Sequence, residues 1–204
     1  MKLYHFPSPN PQKVTFAVHE LGLECEIVPV DLSKREQRTP EFLALNPFGR
    51  VPVLVDGDLT VWESHAILAY LGEKTGRLWP TTAAGRADAL RWLFFLSGHI
   101  SPSATDLAFN RIAVKLLGIP GDEDAIVRGE KALPGVIAIL EGQLTKGKWM
   151  LGNEFSLVDC DYTPVLNVIE KAGFSYRDFP KVQAYLNACR SRPAWKETPK
   201  LPGL

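Results

Sequence analysis

Ser8 and the pair Glu63-Ser64 are the polar residues of this sequence best placed to act on a ligand. Ser8 stands between a predicted first strand and a predicted first helix, and Glu63-Ser64 opens a later helix directly after a predicted hairpin. A helix N-terminus carries unpaired backbone amides and the positive end of the helix dipole. Both places therefore favour a negatively charged ligand group, and the added carboxylate of Glu63 suits a zwitterionic peptide with an anionic end.

Pro52 lies at the start of the apolar strand that leads into this hairpin. Residues 53–61 predict two short strands joined by an Asp56-Gly57 turn. Proline donates no hydrogen bond to a sheet, which leaves the neighbouring amide of Val51 free to pair with an extended ligand. The sequence thus predicts a peptide-binding sheet edge that ends at Glu63-Ser64.

Composition narrows the class of protein. The chain has 204 residues, which is long enough to bury a real core. Its 23 basic and 23 acidic side chains leave no net charge that would attract nucleic acid or an anionic membrane. It contains no stretch with the apolar length of a membrane span, and its first residues lack the apolar core of a signal peptide. Three distant cysteines support neither a disulfide framework nor a zinc site. We expect a cytoplasmic, reduced protein without a metal.

The first 76 residues predict a small α/β domain. Strands are expected at 3–6 and 26–30, with a helix between them, and further helices at 40–45 and 63–75. A strand, a helix and a strand within about thirty residues form a right-handed parallel crossover. Together with the hairpin this gives a four-stranded mixed sheet with three helices.

The remainder of the chain predicts helices only. Residues 77–84 contain Pro80 and small polar residues and read as a linker. A long helix follows, which we expect to be interrupted near Pro102, and Ser156 with Asp159 forms a helix-capping pattern further on. Other helices are expected at 122–144 and 180–190. The predicted fold class is therefore α/β plus all-α, with domains at 1–76 and 85–204.

The segment from residue 46 to 67 resembles the glutathione-binding part of the cytosolic glutathione S-transferases. The family pattern is Asn-Pro-x-Gly-x-Val-Pro, a hairpin, and then Glu/Gln-Ser-x-Ala-Ile. Its matches here are Asn46, Pro47, Gly49, Val51, Pro52, Glu63, Ser64, Ala66 and Ile67. The domain order and the closing segment 192–195 extend the resemblance over essentially the whole chain. It is nearest in type to serine-type, bacterial-like members related to the phi and theta classes, and it implies a thioredoxin-like first domain.

The resemblance implies that the nucleophile is the glutathione sulfur, with Ser8 as the group that stabilises its thiolate. A free thiol has a pKa near about 8.5, and a hydrogen-bond donor at a helix N-terminus can lower it. Ser8 could instead be a helix cap, and Asn10 competes with it for both tasks. Cysteine-type relatives have their cysteine at the position of Ser8, which argues against a protein thiol as the nucleophile.

The resemblance also implies a set of ligand contacts. The residues expected to hold glutathione are Gln37, Arg38, Arg50, Val51, Pro52, Glu63 and Ser64. Glu63 would face the γ-glutamyl ammonium and Ser64 its carboxylate, while the Val51 backbone would pair with the cysteinyl unit. The polar residues at 37, 38 and 50 could equally form a solvated face. An electrophile site is expected at the domain interface, with candidates Phe6, Pro7, Ser103, Phe109 and Asn110.

The expected protein is a homodimeric glutathione transferase that conjugates glutathione, as co-substrate, to a small hydrophobic electrophile. Trp62 and residues 86–94 are the expected dimer contacts. A glutathione-dependent isomerase, a dehalogenase of the same fold and a non-catalytic ligand-binding or adaptor protein remain alternatives, since a fold does not fix a function. The presence of Ser8, Pro52, Glu63 and Ser64 favours an enzyme, and the sequence does not identify the electrophile.

Overall fold

The computed structural model describes residues 1–200, apart from the side chains at 116 and 117; residues 201–204, the end of the predicted helical domain 85–204, lie outside the described residues. The first 75 residues form a four-stranded sheet with three helices. Their elements are β1 (Lys2–His5), α1 (Pro9–Leu21), β2 (Glu26–Pro29), α2 (Pro40–Leu45), β3 (Val53–Asp56), β4 (Leu59–Trp62) and α3 (Ser64–Thr75). The strand order is β2-β1-β3-β4, with β2 parallel to β1 and the other pairs antiparallel. The predicted mixed sheet with three helices is confirmed.

Helix α1 is the crossover between the two parallel strands and covers one face of the sheet. It begins at Pro9, where a missing amide costs nothing, and ends at Leu21, before Gly22, whose φ of 61° is the left-handed conformation typical of a helix end. Leu3 of the sheet and Val14 of the helix are completely buried between them. The opposite face of the sheet is covered by α2, through Phe42. Strand β3, which follows Pro52, lies between β1 and β4 in the sheet and not at its edge, and it is held between these packed layers.

The described chain is helical from Ala83 onward, apart from loops and one isolated bridge between Trp149 and Gly152. Its helices are α4 (Ala83–Phe95), α5 (Ser101–Ala108), α6 (Val114–Leu117), α7 (Glu123–Gln143), α8 (Leu157–Lys171), α9 (Pro180–Arg190) and α10 (Pro193–Glu197). The predicted all-helical second part is confirmed. Helix α4 begins inside the stretch predicted as linker, 77–84.

The interruption expected near Pro102 is a widened turn. Residues Leu96–Ile100 form one turn of π-helix, in which the amide of Ser101 donates to the carbonyl of Leu96. The wider turn accommodates the missing amide of Pro102, because the helical path continues without needing that donor. Residues 109–113 form a second turn of this kind. The chain from 83 to 117 is therefore helical throughout.

One hydrophobic core connects the sheet region with the helical region. Phe16 of α1 packs edge-on against Phe155, with ring centroids 5.8 Å apart, and against Trp195 at 5.4 Å. At the C-terminal end of α1, Glu20 accepts two hydrogen bonds from the Arg192 guanidinium at 2.5 and 2.6 Å. Helix α1 also packs along α8. The helix that begins at Ser8 is thus fixed by both parts of the chain.

Asp159 organises the start of α8, and the capping box predicted for it is present. Its carboxylate is completely buried, and it accepts from the Met150 amide at 2.9 Å and from the amide and hydroxyl of Ser156 at 2.8 Å each. Burial raises the pKa of Asp159 to about 6, although these hydrogen bonds oppose the rise. The carboxyl therefore joins the loop around Met150 to the first turn of α8.

We expect Asp159→Ala to lower the free energy of unfolding by about 2–4 kcal/mol, because it leaves two buried amides without an acceptor. The folded pKa lies above the ordinary value of 3.8, so the wild-type contribution is largest below pH 4 and decreases as the pH rises through about 6. The deficit of the variant should therefore be larger at pH 4 than at pH 7 in urea titrations. The exposed Asp178→Ala is the control and should change stability by no more than about 0.5 kcal/mol. Equal stability of Asp159→Ala and wild type would contradict this role.

Candidate functional site

One cavity of about 450 Å³ is lined by all nine residues that the sequence predicts to activate or bind glutathione. They are Ser8, Asn10, Gln37, Arg38, Arg50, Val51, Pro52, Glu63 and Ser64. Four further residues line it that were not predicted as contacts: Leu32, Asn46, Phe48 and Gly49. The fold thus brings the starts of α1 and α3 to the same cavity as the segment before β3. Their individual roles in binding and catalysis stay predictions.

Ser8 occupies the N-cap position of α1, but its hydroxyl makes no capping hydrogen bond. Its backbone amide donates to the Phe6 carbonyl at 2.7 Å, which fixes the turn. Pro9 and Pro11 have no amide hydrogen, so Asn10 supplies the only backbone donor among the first three helical positions. The row of free amides expected at α1 is therefore reduced to one. The half-buried Ser8 hydroxyl and the more exposed Asn10 are the donors that this helix offers.

The start of α3 offers more donors than the start of α1. The amide of Ile67 donates to the carbonyl of Glu63 at 3.0 Å, whereas the amides at 64–66 precede the first bond of the helix and have no intrahelical acceptor. Ser64 is buried and Glu63 is exposed at the cavity. Glu63 has a φ of 73°, a conformation that costs a non-glycine residue about 1–3 kcal/mol and is found most often at functional sites. This arrangement can hold a carboxylate at the amides and an ammonium at Glu63.

Asn46 supports the loop that leads to β3. It is buried, its side-chain amide donates to the Arg50 carbonyl at 2.7 Å, and its side-chain oxygen accepts from the Phe48 amide at 3.0 Å. The loop ends at the Val51–Pro52 peptide bond, which is cis. Asn46 enters the sequence predictions only as part of the family pattern, although its place before a proline and a glycine is typical of a side chain that orders a turn.

Gly49 brings this loop close to the polar residues on the far side of the cavity. Its φ is 65°, and a Cβ atom there would lie 2.7 Å from Arg38 Nη1 and 2.9 Å from the Gln37 carbonyl. Only glycine fits such an approach. Arg38 donates to the Phe48 carbonyl at 3.2 Å, and the guanidinium carbon of Arg50 lies 5.2 Å from the Phe48 ring centroid. Two guanidinium groups at one end of the cavity provide a second place for a carboxylate.

The five electrophile candidates do not line this cavity. Phe6 and Pro7 lie in the loop directly before Ser8, so the chain places them beside it. The other three candidates are Ser103, Phe109 and Asn110, on α5 and the widened turn after it. The Asn110 side chain donates to the Asp106 carbonyl at 2.8 Å and accepts from the Asp122 amide at 2.9 Å, which gives it a part in ordering the loop before α7. An electrophile site at these residues stays a prediction.

His5 is a buried neighbour of the site. Its Nδ1 atom lies 2.9 Å from the hydroxyl of Thr15, and burial, with a smaller effect of His19, lowers the pKa of His5 to about 4. The ring is therefore neutral at physiological pH. It adds no positive charge beside the cavity, so the local electrostatics come from the helix ends and the arginines.

Two other kinds of feature, a metal-binding cluster and a membrane-spanning helix, are absent from residues 1–200. No group of three or more His, Cys, Asp or Glu side chains there could hold a metal ion. No helix in that range has the length and apolar character needed to cross a bilayer. The three cysteines are free thiols, and none of them lines the cavity.

Comparison with known proteins gives two family matches and close structural neighbours. Residues 1–73 match the family described as glutathione S-transferase, N-terminal domain, and residues 87–193 match glutathione S-transferase, C-terminal domain. The chain is 36% identical to glutathione S-transferase F9 of Arabidopsis thaliana, over 97% of this chain and 95% of that one. It is 32% identical to the disulfide-bond oxidoreductase YfcG of Escherichia coli, over 94% and 91%. A crystal structure of a glutathione transferase from Burkholderia graminis, with two glutathione molecules bound per subunit, has a TM-score of 0.86 at 35% identity and covers 96% and 85%.

Proposed function

The chain belongs to the glutathione S-transferase family, and from this premise we propose that it conjugates the thiolate of glutathione to small electrophiles. The observation that carries the proposal is one cavity that gathers two helix N-termini, the segment before β3 and two arginines. These groups match the parts of a tripeptide with an ammonium, two carboxylates and a central thiol.

In the proposed complex the two carboxylates of glutathione occupy opposite ends of the cavity. The γ-glutamyl carboxylate accepts from the Ser64 hydroxyl and the free amides of α3, and Glu63 pairs with the ammonium. The glycine carboxylate faces Arg38, Arg50 and the Gln37 amide. The cysteinyl unit lies between them and pairs with the backbone of Val51, next to Pro52. Fixing both ends positions the sulfur before any chemistry occurs.

The sulfur then lies against the start of α1. Its thiol proton passes to solvent, and the Ser8 hydroxyl, with the Asn10 amide beside it, donates to the thiolate that remains. The thiolate uses a lone pair to form a carbon–sulfur bond. In aromatic substitution the leaving group departs with its bonding electrons, and in addition to an activated alkene a proton from solvent completes the product. The protein supplies orientation and hydrogen bonds, and no protein nucleophile takes part.

The proposal is tested by glutathione-dependent turnover of halonitrobenzenes, epoxides, isothiocyanates and peroxides. We expect conjugation of at least one electrophile, saturable in glutathione, at a rate well above the uncatalysed reaction. Wild-type protein that binds glutathione but turns over none of these compounds would contradict the enzyme assignment. That result would favour the non-catalytic binding protein instead.

A second candidate function is thiol–disulfide exchange that uses glutathione as reductant. It is favoured by the similarity to a protein named as a disulfide-bond oxidoreductase. Because no cysteine lines the cavity, the bound glutathione thiolate itself would attack the disulfide; one sulfur–sulfur bond forms as another breaks, and a thiolate leaves. Glutathione-dependent reduction of hydroxyethyl disulfide faster than any conjugation would favour this function. Free thiols are also consistent with the cytoplasm, which we propose as its location.

We propose that the protein is a homodimer, because several large apolar side chains are exposed near the cavity and along α4. Phe48 is 58% exposed, Trp62 40% and Phe94 68%. Such aromatics are typical of contact surfaces rather than of surfaces that face water.

We expect Phe94→Asp to convert the dimer into a monomer, because a charge at the centre of an apolar contact loses its hydration when the contact forms. Light scattering at micromolar concentration should give about 45 kDa for wild type, twice the chain mass of 22.6 kDa, and about 23 kDa for the variant. Val127 is similarly exposed on α7, so Val127→Asp is the matched control and should remain dimeric. A wild-type mass of about 23 kDa would refute the dimer.

A further inference from the structure

Lys13, Asp161 and His65 form a buried charged cluster where α1, α8 and α3 meet. The Lys13 ammonium lies 3.0 Å from Asp161 Oδ1, and both side chains are completely buried. The Nε2 atom of His65 lies 3.3 Å from the same oxygen and 3.4 Å from Lys13 Nζ, and its side chain is 20% exposed. None of the three residues lines the cavity, so the proposed binding of glutathione does not account for them.

The stability of the fold does not readily account for this cluster either. A buried ion pair repays its desolvation only when good hydrogen bonds satisfy the remaining lone pairs, and an apolar pair of similar volume is often as stable. Neither oxygen of Asp161 has hydrogen-bond geometry with any residue of the described chain. Burial acts to raise the pKa of Asp161, but Lys13 and then His65 outweigh it, and the pKa is lowered. The carboxylate is thus charged and incompletely bonded, so we expect the ion pair to add little net stability.

The position of the cluster suggests what it does instead. Lys13 follows Ser8 by five residues on α1, and His65 follows Ser64 directly on α3. Asp161 belongs to α8, in the helical part of the chain, and contacts both. The starts of α1 and α3 are the two helix ends that line the cavity, and Asp161 links them through a helix that contributes no residue to it.

We propose that Lys13, Asp161 and His65 are positioning residues that fix the start of α1 relative to the start of α3, so that glutathione held at Ser64 presents its sulfur to Ser8. This inference rests on the proposed function, because it concerns the geometry of that same site. The γ-glutamyl group and the sulfur belong to one small molecule, so the two helix ends must be correctly spaced to hold both. A misplacement of about 1 Å can cost about a hundredfold in rate.

The test is the double variant Lys13→Met/Asp161→Leu, which removes both charges and keeps similar volumes. Because the apolar pair replaces an incompletely bonded ion pair, we expect an unchanged or higher melting temperature. We expect kcat for conjugation to fall at least about tenfold. The ultraviolet thiolate signal of bound glutathione should titrate about one pH unit higher, which is a tenfold smaller thiolate fraction. A cluster that served stability alone would leave kcat and this titration unchanged.

Glu20→Gln is the matched control, because it weakens the ion pair with Arg192 at the other end of α1. It should lower stability slightly and leave kcat and the thiolate titration as in wild type. His65→Gln is the second variant. Because it replaces a partly exposed side chain, we expect it to fold even if the double variant does not. It should lower kcat at least about threefold, as one of the two contacts at Asp161 is changed.

The outcomes separate the inference from the function on which it rests. If the folded double variant has the same kcat and the same thiolate titration as wild type, the positioning role alone is overturned. If the double variant does not fold, the same result in His65→Gln decides it. Wild-type protein without glutathione binding would overturn the proposed function and the positioning role with it. We expect the folded variants to have a reduced kcat and a thiolate signal that titrates at higher pH. We expect neither change in Glu20→Gln.

Discussion

Ser8→Ala is expected to lower kcat for conjugation at least about tenfold near pH 7, with glutathione affinity almost unchanged. The hydroxyl stands at the N-cap of α1 and lines the cavity, so it can donate its hydrogen to a thiolate there. Its loss should raise the pKa of the bound thiol by about one unit, which corresponds to about 1.4 kcal/mol. Affinity is retained because both carboxylates of glutathione are held elsewhere in the proposed complex.

The pH dependence distinguishes this role from a structural one. Above about pH 8.5 a bound thiol ionises without help, so the rate deficit of Ser8→Ala should shrink as the pH rises. Asn10→Ala is the partner variant, because Asn10 lines the same cavity and its backbone amide remains after the substitution. We expect it to change kcat much less. A pH-dependent loss in Asn10→Ala together with wild-type behaviour of Ser8→Ala would assign the role to Asn10.

Ser64→Ala is expected to weaken glutathione binding by about tenfold to 150-fold. The substitution removes a charge-assisted hydrogen bond to the γ-glutamyl carboxylate, which is worth about 1.5–3 kcal/mol. The quantity that should change is the dissociation constant measured by calorimetry. Binding should be weakened and not lost, since the amides of α3 remain in place. Ser175→Ala, an exposed serine remote in sequence from the cavity residues, is the control and should bind as wild type does. Unchanged affinity in a folded Ser64→Ala protein would remove Ser64 from the site.

The parts of the fold and site that follow from local patterns could be predicted from the sequence. Residues 46–67 contain, in one continuous run, a strand preceded by a proline, a tight turn and the start of a helix. The structure of this segment therefore depends on residues that are neighbours in the sequence. The helices at 40–45 and 180–190 are bounded by prolines, a capping residue and apolar spacing, and the structure has them at the predicted bounds. The same local reasoning could have shown that Pro9 and Pro11 remove two donors from the start of α1.

The features that depend on contacts between distant segments could not be predicted in this way. Lys13 lies in an apolar helix pattern where a lysine normally reaches solvent, and only the packing of α8 on α1 places Asp161 against it. The electrophile candidates Ser103, Phe109 and Asn110 are predicted from residue type and an expected domain interface. Neither the residue type nor the interface defines a cavity. The widened turn before Pro102 likewise depends on a hydrogen-bond register that residue types do not specify.

The most direct test of the proposed function is the ultraviolet thiolate absorbance of glutathione bound to the wild-type protein, followed as the pH is changed at saturating ligand. We predict a thiolate signal at pH 7 that titrates at least about one unit below the value near 8.5 of the free thiol. Glutathione that binds, as calorimetry would show, but titrates like the free thiol would contradict the claim that this cavity activates the sulfur.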